Sequence, residues 1–142
     1  MQISSRFTIA IHMLTCMETF KEDYKITSDF LASSINVNPV IIRRILSQLR
    51  DAGMIEVKRG TGGASVIKPL SEITFLDVYQ AVECIEENTL FHFHENPNPA
   101  CPVGKNIHNI LYDKLLRVQQ AMERELASIT LEDVMGDLGK YL

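Results

Sequence analysis

Residues 27–68, TSDFLASSINVNPVIIRRILSQLRDAGMIEVKRGTGGASVIK, hold two short helical patterns, a tight turn between them, and two alternating runs around a glycine-rich tip. Few folds accept this order. Thr27 is placed to cap a first helix, with Ile26 and Leu31 as a hydrophobic staple across its start. Ile35 closes the apolar side of that helix, and Asn36-Val37-Asn38 reads as the turn. Asn38 suits an N-cap, and Pro39 suits the first helical position, where its missing N–H and fixed φ do no harm. Val37 and Ile42 repeat the staple, and Gly53 suits the residue that stops a helix. The second helix is expected over about 39–52.

Its faces separate cleanly. Ile42, Ile45, Leu46 and Leu49 follow the spacing of a buried stripe, while Val40, Arg43, Arg44 and Ser47 point the other way. Behind it, Met54–Lys58 and Ala64–Lys68 alternate as half-buried strands, with Ile55 and Val57 on one face and Glu56 and Lys58 on the other. This is the order of a winged helix-turn-helix, mainly α with a small β-wing, and duplex DNA is the first partner to consider. In such proteins the start of the second helix meets base edges in the major groove. Arginine can hold a guanine edge with two hydrogen bonds, and valine can touch a thymine methyl. The candidate contacts on this helix are Asn38, Val40, Arg43, Arg44 and Ser47, with Arg50 suited to phosphate. The bland alternative is that Arg43 and Arg44 only solvate a face.

The wing tip adds Lys58, Arg59, Gly60, Thr61, Gly62 and Gly63. Its glycines allow a tight turn and close approach of backbone N–H groups to phosphate. Arg59 is then presented where it could enter a narrow, electronegative minor groove. A glycine-rich loop can also cradle a nucleotide phosphate, but no GKS, GKT or GxGxxG follows and no helix starts at the loop.

Charge agrees with a local DNA surface. The chain carries −4 overall, which argues against a general polyanion binder. Residues 39–68 hold Arg43, Arg44, Arg50, Lys58, Arg59 and Lys68 against Asp51 and Glu56, a net +4, while residues 69–142 hold 5 basic and 12 acidic groups, a net −7.

At 142 residues the chain can bury one core, organised as a DNA-binding part over 1–70 and a linker helix, loop and dimerisation helices over 71–142. No apolar run reaches 18 residues, and the stretch from Phe7 is broken by Thr8 and His12, so a cytoplasmic protein without a membrane partner is expected. Residues 4–20 form a helix apolar over most of its circumference, which suits burial on two sides. Thr74-x-x-Asp77 has the form of a capping box, with Ile73 and Val78 stapled, opening a helix to about Cys84. Residues 105–128 carry Ile107, Ile110, Leu111, Leu115, Val118, Met122 and Leu126, a stripe longer than a small winged domain can cover. Leu111, Leu115, Val118 and Met122 are therefore the expected dimer interface. Thr130 starts a last helix, and the proline-punctuated residues 88–104 form an irregular loop.

The whole pattern resembles the Rrf2 family of bacterial winged-helix regulators. The resemblance rests on Ser5-Arg6-Phe7, on Leu46-Ser47-Gln48-Leu49-Arg50-Asp51-Ala52-Gly53, and on Arg59-Gly60-Thr61-Gly62-Gly63. The ITFLDVYQAVE run and the long helix after a cysteine-bearing loop also fit. It implies a homodimeric transcription factor, usually a repressor. Cluster-binding members carry three cysteines in the loop before the long helix, whereas this chain has Cys101 there, Cys84 earlier and Cys16 on an apolar stripe. No cofactor is expected on that count, because iron–sulfur clusters normally need four ligands, mostly thiolates. A metal held by Cys101 with His92, His94 and His108 is the alternative. Cys101 could also be a redox-responsive thiol, lying just before a helix start where N–H groups favour thiolate, or a loop residue with packing value only. The odd, widely spaced cysteines suggest no disulfide framework. No enzyme is expected, for lack of a nucleophile–base pair, and a winged helix serving only protein contacts is disfavoured by Arg43, Arg44 and Arg59.

Overall fold

The computed structural model describes residues 3–60, 62–82 and 90–142. Thr61 and Cys84 fall outside them. Helix α1 (Ser5–Thr19) starts at Ser4, whose hydroxyl accepts from the Arg6 amide at 3.2 Å. It buries Ala10, Met13, Leu14, Cys16 and Met17 and leaves Thr8 and His12 exposed. α1 packs against α2 (Ser28–Ile35), α3 (Pro39–Asp51) and, further along the chain, α4 (Phe75–Val82) and α6 (Leu131–Leu138). It is the spine of the domain.

The helix-turn-helix forms as its caps dictate. The Thr27 hydroxyl accepts from the Phe30 amide at 3.0 Å to start α2. Asn36 ends that helix at φ 63°, a left-handed conformation that asparagine tolerates better than most residues, and its amide donates to the Ala32 carbonyl at 2.7 Å. The Asn38 side chain accepts from the Val40 amide at 2.8 Å, with Pro39 at the first position of α3. Gly53, at φ 79°, turns the chain out of α3. Ile42, Ile45 and Leu49 are fully buried and Leu46 nearly so. Truncating such a side chain to alanine costs roughly 2–5 kcal/mol, so this stripe fixes α3 to the core.

The wing is an antiparallel pair, β1 (Ile55–Lys58) and β2 (Gly63–Val66), with Ile55 opposite Val66 and Lys58 opposite Gly63. Ile55 is 1% exposed, but Val57 on the same face is 40% exposed. The alternation holds only at the base, because the hairpin projects beyond the core that would cover Val57.

After a 3-10 turn at Leu70–Glu72, α4 opens on the expected capping box: the Thr74 amide donates to Asp77 Oδ2 at 3.0 Å and the Asp77 amide to Thr74 Oγ1 at 3.1 Å. The long helix α5 (Pro102–Ser128) has 27 residues, about 40 Å at 1.5 Å per residue. α6 opens on a second capping box, Thr130 with Asp133. The Phe75 amide donates to the Ile129 carbonyl, and the Leu131 amide to the Ile73 carbonyl, both at 2.8 Å. These bonds pin the end of α5 to the start of α4. Ile73, Val78, Val82 and Leu131 consequently share one hydrophobic core with α1, α2 and α3.

Candidate nucleic-acid interface

On α3, Val40, Arg43, Arg44 and Arg50 are exposed, and Ser47 is half-buried with its hydroxyl donating to the Arg43 carbonyl at 3.2 Å. Asn38 is spent largely on the cap, which rigidifies the first turn of α3. Val40, Arg44 and Ser47 stand one above another at i, i+4 and i+7, with Arg43 on the flank. Among the described residues no ion pair engages Arg43, Arg44 or Arg59, whereas Arg50 Nε lies 3.5 Å from Asp51 Oδ1 and Lys58 Nζ lies 3.8 Å from Glu56 Oε1. Both of these pairs are exposed and weak, so phosphate could displace the carboxylates.

The wing tip carries Arg59 and Gly60 into solvent. A Cβ at Gly62 would collide with the Lys58 side chain. Gly63 is half-buried rather than open to a ligand: at φ +68°, a Cβ there would lie 2.9 Å from both the nitrogen and the oxygen of Ile26. Glycine is required because the wing lies directly on the segment that leads into α2. Ile41 was absent from the expected contacts, yet it is 39% exposed beside Val40. In the sequence pattern Ile41 is assigned to neither the buried stripe nor the opposite face.

α5 has no fully buried residue. Leu111, Leu115 and Met122 are half-buried against their own chain, and Val118 is 52% exposed. Ile110 and Leu116, also exposed, flank the packed face.

Cys101 is the exposed N-cap residue of α5. The amides of Gly104 and then Val103 lie near enough to its sulfur to hold the thiol below its ordinary pKa, although neither completes a cap hydrogen bond. A Cβ at Gly104 would sit 2.6 Å from the Asn98 carbonyl oxygen, so the loop can fold onto the helix start only over a glycine. Further along, His108 Nε2 donates to the His94 carbonyl at 2.9 Å, and its ring packs on Phe93 at a centroid distance of 4.8 Å. His92 is exposed. Cys16 is elsewhere, buried between α1 and α2 with its sulfur 3.3 Å from Ser34 Oγ. Among the described residues no group of three or more His, Cys, Asp or Glu is arranged to hold a metal ion. Cys16 thus belongs to the α1–α2 junction, whereas Cys101, His94 and His108 lie at and along the start of α5. No helix among the described residues is long and apolar enough to cross a membrane.

A helix-turn-helix with an open cationic face and a glycine-tipped wing defines a winged-helix transcriptional regulator. The chain belongs to the Rrf2 family, whose model, described as iron-dependent transcriptional regulator, matches residues 3–137. It is 47% identical over 136 residues to YwnA of Bacillus subtilis strain 168, named as an HTH-type transcriptional regulator, covering 96% of this chain and 98% of that one. The crystal structure of an inferred DNA-binding protein superposes with a TM-score of 0.75 at 41% identity, covering 92% of this chain and 99% of the other. That of an inferred transcriptional regulator from Lactobacillus plantarum gives 0.80 at 25% identity, covering 95% and 90%.

Proposed function

We propose that this regulator is a repressor that binds a palindromic duplex operator as a homodimer, with α3 in the major groove and Arg59 in the adjoining minor groove. The observation that carries the reading is the exposed set Arg43, Arg44 and Arg59, without ion-pair partners among the described residues, on a chain that is otherwise acidic. Positive potential confined to one face steers and orients a polyanion without binding it indiscriminately. α5 supports the dimer: a 27-residue helix with no buried residue and with Ile110, Leu116 and Val118 exposed is incompletely covered by its own chain. Two copies on a two-fold axis would present their α3 helices to major grooves about 34–36 Å apart.

The signal, in this reading, enters without a cluster, through the Cys101 thiolate. Its loop lies between α4 and α5, so modification there can alter how the two reading helices are spaced. A gel shift on the DNA upstream of the protein's own gene tests the reading. A salt-sensitive, sequence-specific complex with two chains per site is expected; binding that ignores sequence would overturn it.

A further inference from the structure

Two large apolar side chains stand in solvent on the first turn of α3, Val40 at 60% and Ile41 at 39% exposure. Neither belongs to the hydrophobic core, and neither packs against it. The buried stripe of α3 is complete without them in Ile42, Ile45, Leu46 and Leu49. Both are β-branched and stiff at χ1, and they sit on a turn held by the Asn38 cap and Pro39. A rigid apolar surface is thus presented at the place where a reading helix meets base edges. In the major groove only thymine offers an apolar group, its C5-methyl.

We infer that Val40 and Ile41 read thymine methyls, and that each operator half-site sets thymines beside a guanine that Arg44, exposed one turn further along α3, is placed to hold. The inference rests on the DNA-binding mode proposed above and deepens it. Val40 and Arg44 are one turn apart on the same line, about 6 Å along the helix. Stacked bases are about 3.4 Å apart, so the thymine under Val40 lies within about two base pairs of that guanine. Ile41, about 100° round the helix, reaches to one side and takes a neighbouring thymine or one on the opposite strand.

The test begins with selection of a preferred site from random duplexes by the full-length wild-type protein. Each thymine of that site is then replaced by deoxyuridine, which removes only the methyl group. One or two replacements per half-site are expected to weaken wild-type binding about three- to tenfold. Val40→Ala and Ile41→Ala should each lose sensitivity to one replacement while still binding the unmodified site detectably. Both side chains are exposed, so an unchanged circular dichroism spectrum is expected for each variant. Equal affinity of wild type for every deoxyuridine duplex, or variants that keep full sensitivity, would overturn methyl reading while leaving the DNA-binding mode intact. Selection that yields no preferred site would overturn the DNA-binding mode itself. Selection that gives a site lacking thymine near guanine leaves the two side chains as a surface for a protein partner, and the inference fails.

Discussion

The Ala64 amide donates to the Ile26 carbonyl at 2.9 Å, stitching the second wing strand to the segment that opens the helix-turn-helix. The wing is therefore tied to the start of the helix-turn-helix by a backbone contact as well as by its own hairpin. Gly63 makes that contact possible, being left-handed with no room for a Cβ beside Ile26. Replacing Gly63 by alanine should destabilise the domain by about 1–3 kcal/mol, read as a lower urea midpoint with unchanged slope. DNA affinity should fall as well, because Arg59 would be displaced from its position relative to α3. A Gly63→Ala protein as stable as wild type would show that the wing can lift off Ile26 at no cost.

Arg59 has no carboxylate partner among the described residues, so its loss carries no folding penalty that would confuse a binding measurement. Arg59→Ala is expected to weaken operator binding by about 1–3 kcal/mol at physiological salt. Arg43→Ala should relax the preference at one base position. Arg50→Ala should weaken all sequences alike and lower the salt dependence, as loss of a phosphate contact does. Identical selection profiles for wild type and Arg43→Ala would remove Arg43 from base readout.

What was legible in the sequence was what local chemistry decides. The Thr27, Asn38 and Thr74 caps, the Asn36 turn, the Gly53 stop and the buried stripe of α3 all depend on residues within a turn or two of each other. The duty of Gly63 depends on Ile26, far earlier in the chain, and no periodicity reports that distance. Ile41 beside Ile42 has no place in either face of the sequence pattern, and its exposure shows only once the core is seen to close without it. α5 shows the same limit: its stripe predicts that something covers Leu111, Leu115 and Met122, but not that their own chain half-covers them. Nor does Thr130 announce that the helix it caps will return to the core through Leu131.

That last distinction shapes the test of the dimer. Glutamate at Leu115 would strike a residue that packs on its own chain, so loss of dimer and loss of fold would be mixed. Val118 and Ile110 are 52% and 48% exposed, and glutamate at both leaves the chain's own packing intact. The double variant is expected to sediment as a folded monomer with strongly reduced operator affinity. A dimer that survives both changes would move the interface off this face of α5.

Cys101 and Cys16 differ in the two properties that govern thiol reactivity. Cys101 is exposed, and the Gly104 and Val103 amides hold its pKa below the ordinary cysteine value of about 8.5. Cys16 is buried at the junction of α1 and α2. A depressed pKa leaves more thiolate at a given pH, so the rate of alkylation should begin to rise at lower pH for Cys101 in the native protein than in the unfolded chain. Iodoacetamide should therefore label Cys101 before Cys16, the sulfur displacing iodide to form a thioether, and operator affinity should fall with the extent of labelling. Cys101→Ser should bind the operator as wild type does and ignore the reagent. Mass spectrometry showing Cys101 no faster than Cys16 would remove the activated thiol. Full labelling with unchanged affinity would leave the thiol reactive but disconnect it from the DNA, and the signal would have to enter by another route.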